Sequence, residues 1–443
     1  MQASNGPLTR LFMRTFSVRR DEIRGLLGSF LLLFLIWTAY SILRPVRETM
    51  GITSGVSRLP ILFWATFVCT LAIQPAFGAL ATRLRRVTLL PTLYIFFASN
   101  LLLFYAWFYL QEDHTWIARA FFVWLSVVNL FWLSVFWSFM ADIFSRDQSH
   151  RLFGFIAAGT SLGGLAGPLV TATLAASIGT LNLLLVAAAL LVVAVPLVGM
   201  LNGWQIAQAR SGVAECGGSD RPLGGNPFAG FGQVLANPVM AGIAVFVFLL
   251  TWVSTFLYLE QQALIDRLVP DSDAQTTLFG WIDFSVQSVA LLIQMVLLGQ
   301  LTRRFALTGL IVIVPALMVA GYLWLATNPV LWAIIGTMIV RRVGEYSIMR
   351  PCREMLFTSV PREMKYKAKN IIDTLVYRAG DAVSGSAHAG LVAAGMATSG
   401  IFGVAAGISA LWGWSAYSAA RRHEAARLGD GVAPPAPTSA RST

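Results

Sequence analysis

The sequence predicts an all-α membrane protein of twelve transmembrane helices in two six-helix halves. Three observations carry that prediction. The 443-residue chain is 56% apolar and only 12% charged, too few charges to surround a water-soluble domain of that size. Long apolar runs recur along it, each near the roughly 20 residues that a helix needs to cross a hydrocarbon core about 30 Å thick. Lysine and arginine gather in alternate connections, as they do in proteins oriented across a bilayer.

The apolar runs begin near residues 25, 60, 88, 117, 151, 180, 238, 277, 305, 330, 368 and 397. They are long rather than alternating, which excludes membrane β-strands as the main element. Twelve spans leave no room for a soluble catalytic domain, so the chain is read as a non-enzyme. There is no GxxxxGK[ST] phosphate loop and no HExxH, and His114, His150, His388 and His423 are scattered. Those absences argue against an ATP-driven pump, a metal site, a cofactor and a nucleophilic triad. Cys69, Cys216 and Cys352 are too few for a disulfide framework and are expected as free thiols.

The net charge of +11 would suit a nucleic-acid partner, but its placement assigns it to topology. With a cytoplasmic N-terminus, the basic residues of the inner segments are those of the N-terminal tail, Arg83, Arg85, Arg86, Arg146, Arg151, Arg210, Arg221, Arg303, Arg304, Arg362 to Lys369 and the C-terminal tail. The outer loops hold Arg58, Arg119 and Arg267. This asymmetry predicts a multi-pass protein of the bacterial inner (plasma) membrane with both termini cytoplasmic, a monomer in the lipid bilayer with no nucleic-acid partner. The basic head Arg10 to Arg24 runs straight into the first span, which is too long for a leader's apolar core, so that span reads as an anchor.

The expected organisation is a basic cytoplasmic tail (1–24), an N-terminal six-helix half (25–202), a cytoplasmic linker (203–237), a C-terminal half (238–419) and a second tail (420–443). The stretch SGVAECGGSDRPLGGNP is the composition of a flexible connection. Three pairs of stretches relate the halves at separations of roughly 210 to 220 residues: Trp37 with Trp252, the end of span four with the end of span ten, and Gly78–Arg86 with Gly299–Arg304. Paired halves are a transporter plan with the substrate site near the repeat interface. Gly159, Gly163 and Gly167, four apart in span five, predict a close helix–helix approach.

One motif stands out against this background. YSILRPVRETM, Tyr40 to Met50, recurs as YSIMRPCREML, Tyr346 to Leu356, with seven of eleven positions identical. On a helix, Tyr40, Arg44 and Arg47 share a face, as do Tyr346, Arg350 and Arg353, and Arg342 extends the second stripe. Glu48 and Glu354 follow Arg44 and Arg350 by four residues, a spacing that suits ion pairing. Pro45 and Pro351 each remove a backbone hydrogen bond and clash with the carbonyl four residues back, at Ser41 and Ser347, which predicts a kink at each copy.

Charge at this depth needs a reason. An arginine at mid-bilayer costs roughly 2.5 to 3.5 kcal/mol on insertion scales, so Arg44, Arg47, Arg341, Arg342, Arg350, Arg353 and Arg378 together would cost on the order of 20 kcal/mol in lipid. They must face water, acids or an anionic ligand. Glu48, Glu260, Asp283, Glu345, Glu354, Asp373 and Asp381 are the acids at hand. Span one is apolar as far as Leu43, which leaves a snorkelling position at the outer interface open for Arg44 and Arg47. Span ten is apolar only over Val330 to Val340, so Arg350 and Arg353 are expected in a water-filled cavity. Guanidinium forks match two oxygens of a phosphate or carboxylate. Asp283, Gln287 and Gln294 share a face of span eight.

YSILRPVRE resembles the span-one motif of the ATP/ADP translocase family, the nucleotide exchangers of plastids and intracellular bacteria, which has a Tyr, Leu-Arg-Asp, Lys-Asp pattern there. Glu345 to Asp381 resembles that family's Tyr-Ser-Leu, proline, Lys-Glu-Met and later Lys-x-Lys-x-x-x-Asp and Arg-x-Gly run. The matching positions are Arg44, Arg47, Glu48, Tyr346, Pro351, Arg353, Glu354, Met355, Lys367, Lys369, Asp373, Arg378 and Gly380. GALATRLRR, Gly78 to Arg86, is similar to the basic loop between spans two and three of the major facilitator superfamily, with Thr82 and Arg83 where an acid usually stands. The resemblance implies a major facilitator-type fold and an anion-transport class. Pro45 and Arg350 stand where the family has Asp, and Arg47 and Arg353 replace Lys, so a more cationic cavity is implied.

The resulting expectation is a secondary transporter that exchanges a small anionic metabolite, a nucleotide or another phosphorylated compound, by alternating access. Arg44, Arg47, Arg350, Arg353, Tyr40 and Tyr346 would contact substrate. Glu48, Glu345, Glu354, Asp373, Lys369 and Arg378 would pair or gate. The alternative is a proton-coupled exporter of a neutral or cationic compound, with Glu260 and Asp283 as the protonatable pair. A membrane scaffold or sensor is a third class.

Overall fold

A computed structural model describes residues 19–83, 86–210, 237–296, 299, 306–357, 369 and 371–429. Most of the expected linker, the tails, Arg303, Arg304 and the basic run up to Lys367 lie outside the described residues, as do the side chains of Gly78 to Arg86. The described chain is helical, in twelve segments, and contains no strand. The first six are α1 (Ile23–Thr53), α2 (Leu59–Arg83), α3 (Arg86–Leu110), α4 (Thr115–Ile143), α5 (Arg146–Ile178) and α6 (Asn182–Arg210). Then follow α7 (Pro238–Leu268), α8 (Ser272–Val296) and α9 (Leu307–Thr327). The tenth segment is composite: α10 (Leu331–Gly344), a π-helical turn (Glu345–Met349) and α11 (Arg350–Leu356). The eleventh opens with a second π-helical turn (Ile371–Val376) and continues as α12 (Tyr377–Ala393), and α13 (Thr398–Gly429) closes the series. Among the described residues nine helices, α1 to α9, are individually long and apolar enough to cross a membrane. The tenth and eleventh segments fall short because charge and π turns interrupt them.

The chain divides into two compact units. One comprises residues 1–224 together with 262–288, the other 225–261 with 289–443. In the first unit α1 is the central element, and 20 of its 31 residues are buried. The glycine stripe of α5 explains how closely it is held. A Cβ on Gly159 or Gly163 would sit 2.9 Å from the carbonyl oxygen of Phe30 or Phe34, and one on Gly167 would sit 2.8 Å from that of Thr38. Only glycine lets the two backbones meet at that distance. Gly280 of α8 approaches the backbone of Ala172 in the same way, at 2.8 Å. Around α1 the aromatic residues of α3 and α4, including Phe97, Phe121, Trp124 and Trp132, form the core. Tyr94 and Trp132 are buried there, so these polar aromatics serve packing.

In the second unit Phe246 stacks on Trp412 at 5.8 Å, and Tyr322 lies against Phe402 at 6.0 Å. Gly380 admits Thr251 so closely that a Cβ there would collide with its hydroxyl. Gly344, just before the first π turn, likewise has no room for a side chain beside Val314.

Proline behaves differently in the two repeat copies. The α-helix runs through Pro45 without interruption. Ahead of Pro351 the ladder widens, and Arg350 donates its amide to the Glu345 carbonyl, five residues back. In that register the amide that proline lacks is the one that would have met Tyr346. The orphan carbonyl therefore moves from Ser347, where an α-helix would leave it, to Tyr346. Gln294 Nε2 donates to it at 3.0 Å, as a buried or interfacial carbonyl requires.

Candidate functional site

The first repeat copy is packed and paired. Tyr40 is buried, its ring 5.3 Å from Trp37 and 5.9 Å, edge-on, from Trp132. Arg44 Nε lies 3.5 Å from Asp283 Oδ2. Arg47 spreads over the Phe122 ring at 5.2 Å, donates to Ser126 Oγ at 3.4 Å and pairs with Glu48. Glu48 also accepts from Gln262 Nε2 at 3.1 Å. One turn further, Thr49 and Thr276 share a hydroxyl hydrogen bond of 2.7 Å, and Thr180 donates its hydroxyl to Thr276 at 2.9 Å and its amide to Asp273 at 2.7 Å. The C-terminal end of α1 is thus tied, rung by rung, to residues 262–283. Arg44 and Arg47 are each about one-fifth exposed.

The second copy is opened by its π turn. Arg341 is buried, pairs with Glu345 at 2.9 Å and donates to Ser254 Oγ at 2.8 Å. Glu345 also faces Arg350 at 3.6 Å. The Tyr346 ring carries two guanidinium groups, Arg350 at 4.5 Å and Arg342 at 6.0 Å from its centre. Arg353 pairs with Asp373 at 3.1 Å, Lys369 with Glu354 at 2.6 Å, and Arg378 faces Asp381 at 3.8 Å. Arg350 is the outlier. Its side chain is 59% exposed, against 16% for Arg353 and 20% for Arg44 and Arg47.

Glu48 is in contact with Arg47 and Gln262, and Glu354 with Lys369. Asp283 faces Arg44, and Glu260 meets His388, with Nε2 to Oε1 at 2.9 Å. Gln262, Thr276, Gln294 and His388 belong to these networks, and of the four Gln294 alone has a sequence signal, the span-eight face it shares with Asp283 and Gln287. Each meets its partner across more than 50 residues. Cys69 and Cys352 are free thiols, and Cys216 lies outside the described residues. Among the described residues no group of acids, histidines and cysteines is placed to hold a metal ion.

A family model described as Major Facilitator Superfamily matches residues 25–380. In sequence the chain is 20% identical to ADP,ATP carrier protein 1 of Chlamydia muridarum (strain MoPn / Nigg), over 86% of this chain and 84% of that protein. In structure it is similar to a bacterial homologue of the iron transporter ferroportin in an inward-facing state, with a TM-score of 0.62, 13% identity, and 90% and 98% of the two chains covered. It is also similar to the nucleoside transporter NupG, with a TM-score of 0.59, 12% identity, and 90% and 99% covered. At those identities the structural likeness speaks for the fold.

Proposed function

Since the chain belongs to the Major Facilitator Superfamily, and is therefore a multi-pass membrane transporter, we propose that its substrate is a small organic anion carrying a phosphate or carboxylate, exchanged by alternating access across a bacterial inner membrane. The single observation that carries this reading is Arg350. It is the most exposed arginine of the two repeat copies, its guanidinium lies over the Tyr346 ring at 4.5 Å from the centre, and it faces Glu345 at 3.6 Å. The parallel N–H groups of a guanidinium match two oxygens of a phosphate or carboxylate. Tyr346 offers a ring face for a planar portion of the substrate.

Arg342 stands beside the same ring. Arg353, Asp373, Glu354 and Lys369 form the ion pairs that hold the segment around it, so they position the site rather than compete for substrate. Arg44, Arg47 and Glu48 act in the first unit as a paired lock at the end of α1, with Tyr40 as its packed base. The likeness to an ADP,ATP carrier supports a phosphorylated substrate such as a nucleotide.

Thermal unfolding of the purified protein across nucleotides, sugar phosphates and carboxylates tests the assignment, followed by counterflow in proteoliposomes with each stabilising compound. Wild type should be stabilised by one class of anion, and Arg350→Ala should lose that response while keeping its ligand-free melting temperature. If every anion that stabilises wild type stabilises Arg350→Ala equally, the assignment of the site fails.

A further inference from the structure

The anion site leaves one buried titratable pair without a role. Glu260 on α7 and His388 on α12 meet at 2.9 Å and are each 8% exposed. Their surroundings can be followed element by element. On α7, Phe256 meets the His388 ring edge-on at 5.4 Å. From α9, the Tyr322 hydroxyl donates to the Val253 carbonyl and stands within electrostatic reach of both Glu260 and Arg341. From α10, Arg341 reaches Ser254 of α7 and pairs with Glu345 of the π turn. On α12 itself, Asp381 accepts from Thr255 at 3.5 Å and faces Arg378.

A buried ion pair is a weak source of stability, because desolvating both partners offsets their attraction. Ionisable groups inside a membrane bundle mark ion and proton routes far more often than they mark packing. Imidazole is also the side chain whose unperturbed charge changes near neutral pH. The pair has two states that differ by one proton. In one, a neutral imidazole donates Nε2–H to an ionised Glu260, for a net charge of −1. In the other, an imidazolium faces the carboxylate, or a carboxylic acid faces the neutral ring, for a net charge of zero. Only N–H and O–H bonds form or break, and the proton comes from water and returns to it.

We propose that Glu260–His388 is a proton-binding site whose occupancy sets the affinity of the Arg350 surface for its anion, so that proton and anion travel in the same direction. This rests on the anion reading above. The connection is electrostatic. Unprotonated, the pair adds a negative charge within reach of Tyr322, as Arg341 is, and that charge competes with Glu345 for the Arg341 guanidinium, so that Glu345 holds Arg350 more firmly. Protonated, the pair leaves Arg341 to Glu345 and releases Arg350 to the substrate. Linkage makes the effect reciprocal: the bound anion raises the proton affinity of the pair by the same factor.

Two measurements test it. In protein labelled at histidine, the four imidazoles can be followed by NMR and the His388 signal assigned by its loss in His388→Gln. Its chemical shift should respond to pH, and that response should change in Glu260→Gln. A His388 signal that does not titrate, or whose response ignores Glu260→Gln, overturns the proton site. In proteoliposomes loaded with ATP, and in parallel with inorganic phosphate, an inward proton gradient should drive accumulation of the probe in wild type. Glu260→Gln and His388→Gln should both abolish that accumulation. Counterflow without any response to the gradient in wild type overturns the coupling and leaves the anion reading standing. A titrating, Glu260-dependent His388 with no counterflow of either probe supports the proton site and counts against the anion reading.

Discussion

The two copies of one eleven-residue motif have the same letters and different settings. Around Tyr40–Met50 the helix is continuous, the tyrosine is sandwiched by tryptophans, and Arg44 and Arg47 are held by Asp283, Glu48 and Ser126. Around Tyr346–Leu356 the helix widens by one residue ahead of the proline, the tyrosine carries guanidinium groups in place of indoles, and Arg350 reaches the surface of its unit. A motif therefore fixes which groups are present, while the neighbours decide whether they lock or bind. In the first copy the neighbour is a glycine-lined helix that presses α1 into a core. In the second it is a π turn, a feature found disproportionately at functional sites.

The comparison breaks most severely if the first copy loses its close packing. Gly163→Leu places a Cβ within about 3 Å of the Phe34 and Thr38 backbone and should cost about 3 kcal/mol or more. Little folded protein should then survive size-exclusion chromatography. Gly199→Ala, where nothing lies within 4 Å of the added Cβ, should behave as wild type. Equal yields of the two variants would mean that α1 is not held by the glycine stripe.

A second test separates lock from binding surface directly. Arg44→Ala removes the guanidinium opposite Asp283, whose side chain is only 6% exposed, and truncating one partner of such a pair costs about 3 kcal/mol. Its melting temperature should fall in the absence of any ligand. Arg350→Ala removes an exposed side chain, so its ligand-free melting temperature should hold while its anion response weakens roughly 10- to 100-fold, the value of a charge-assisted hydrogen bond of about 1.5 to 3 kcal/mol. If the two variants exchange these phenotypes, the roles assigned to the two copies are reversed.

Much of this was legible in the sequence because it rests on period and on cost. The twelve apolar runs reappear as twelve helical segments, since a bilayer admits no other way to satisfy so much backbone. The glycines four apart mark a helix contact, and the duplicated arginines mark two places where charge must be answered. The partners were not legible. Asp283 for Arg44, Gln262 for Glu48 and His388 for Glu260 are set by which helices lie side by side, and no local spacing encodes that. The π turn was hidden as well. Proline at 45 and at 351 carries the same local rule, and only tertiary contact decides that one helix runs on and the other widens. Gln294, one of three polar residues on a face of span eight, donates to a backbone carbonyl.

That last assignment gives a smaller test. Gln294→Ala withdraws the donor from the Tyr346 carbonyl, a hydrogen bond worth about 1 kcal/mol. If it steadies the π turn, the variant should show faster amide exchange at Glu345–Met349 and unchanged exchange around Tyr40. Equal protection of the π turn in wild type and variant would show that Pro351 alone sets the widened geometry.

The smallest effect separates packing of α1 at its start from the lock at its end. Glu22 is buried just before α1 begins. Burial alone would raise its carboxyl, but hydrogen bonds from Arg151, from the Arg19 amide and from Gln148 outweigh that and hold it below the ordinary value of 4.5. Arg151 Nη2 reaches it at 2.8 Å, and Gln148 Nε2 at 3.3 Å. Because the folded state favours the ionised form, this contribution is complete above the unfolded glutamate's titration and disappears as pH falls through the lower folded value. Glu22→Gln should therefore be less stable than wild type near neutral pH by about 1 kcal/mol, with the gap closing below about pH 4 as both carry a neutral side chain. Melting temperatures of the two proteins measured across that range decide it. A gap that persists at low pH would mean that Glu22 contributes by shape, as glutamine nearly could, rather than by the charge it presents to Arg151.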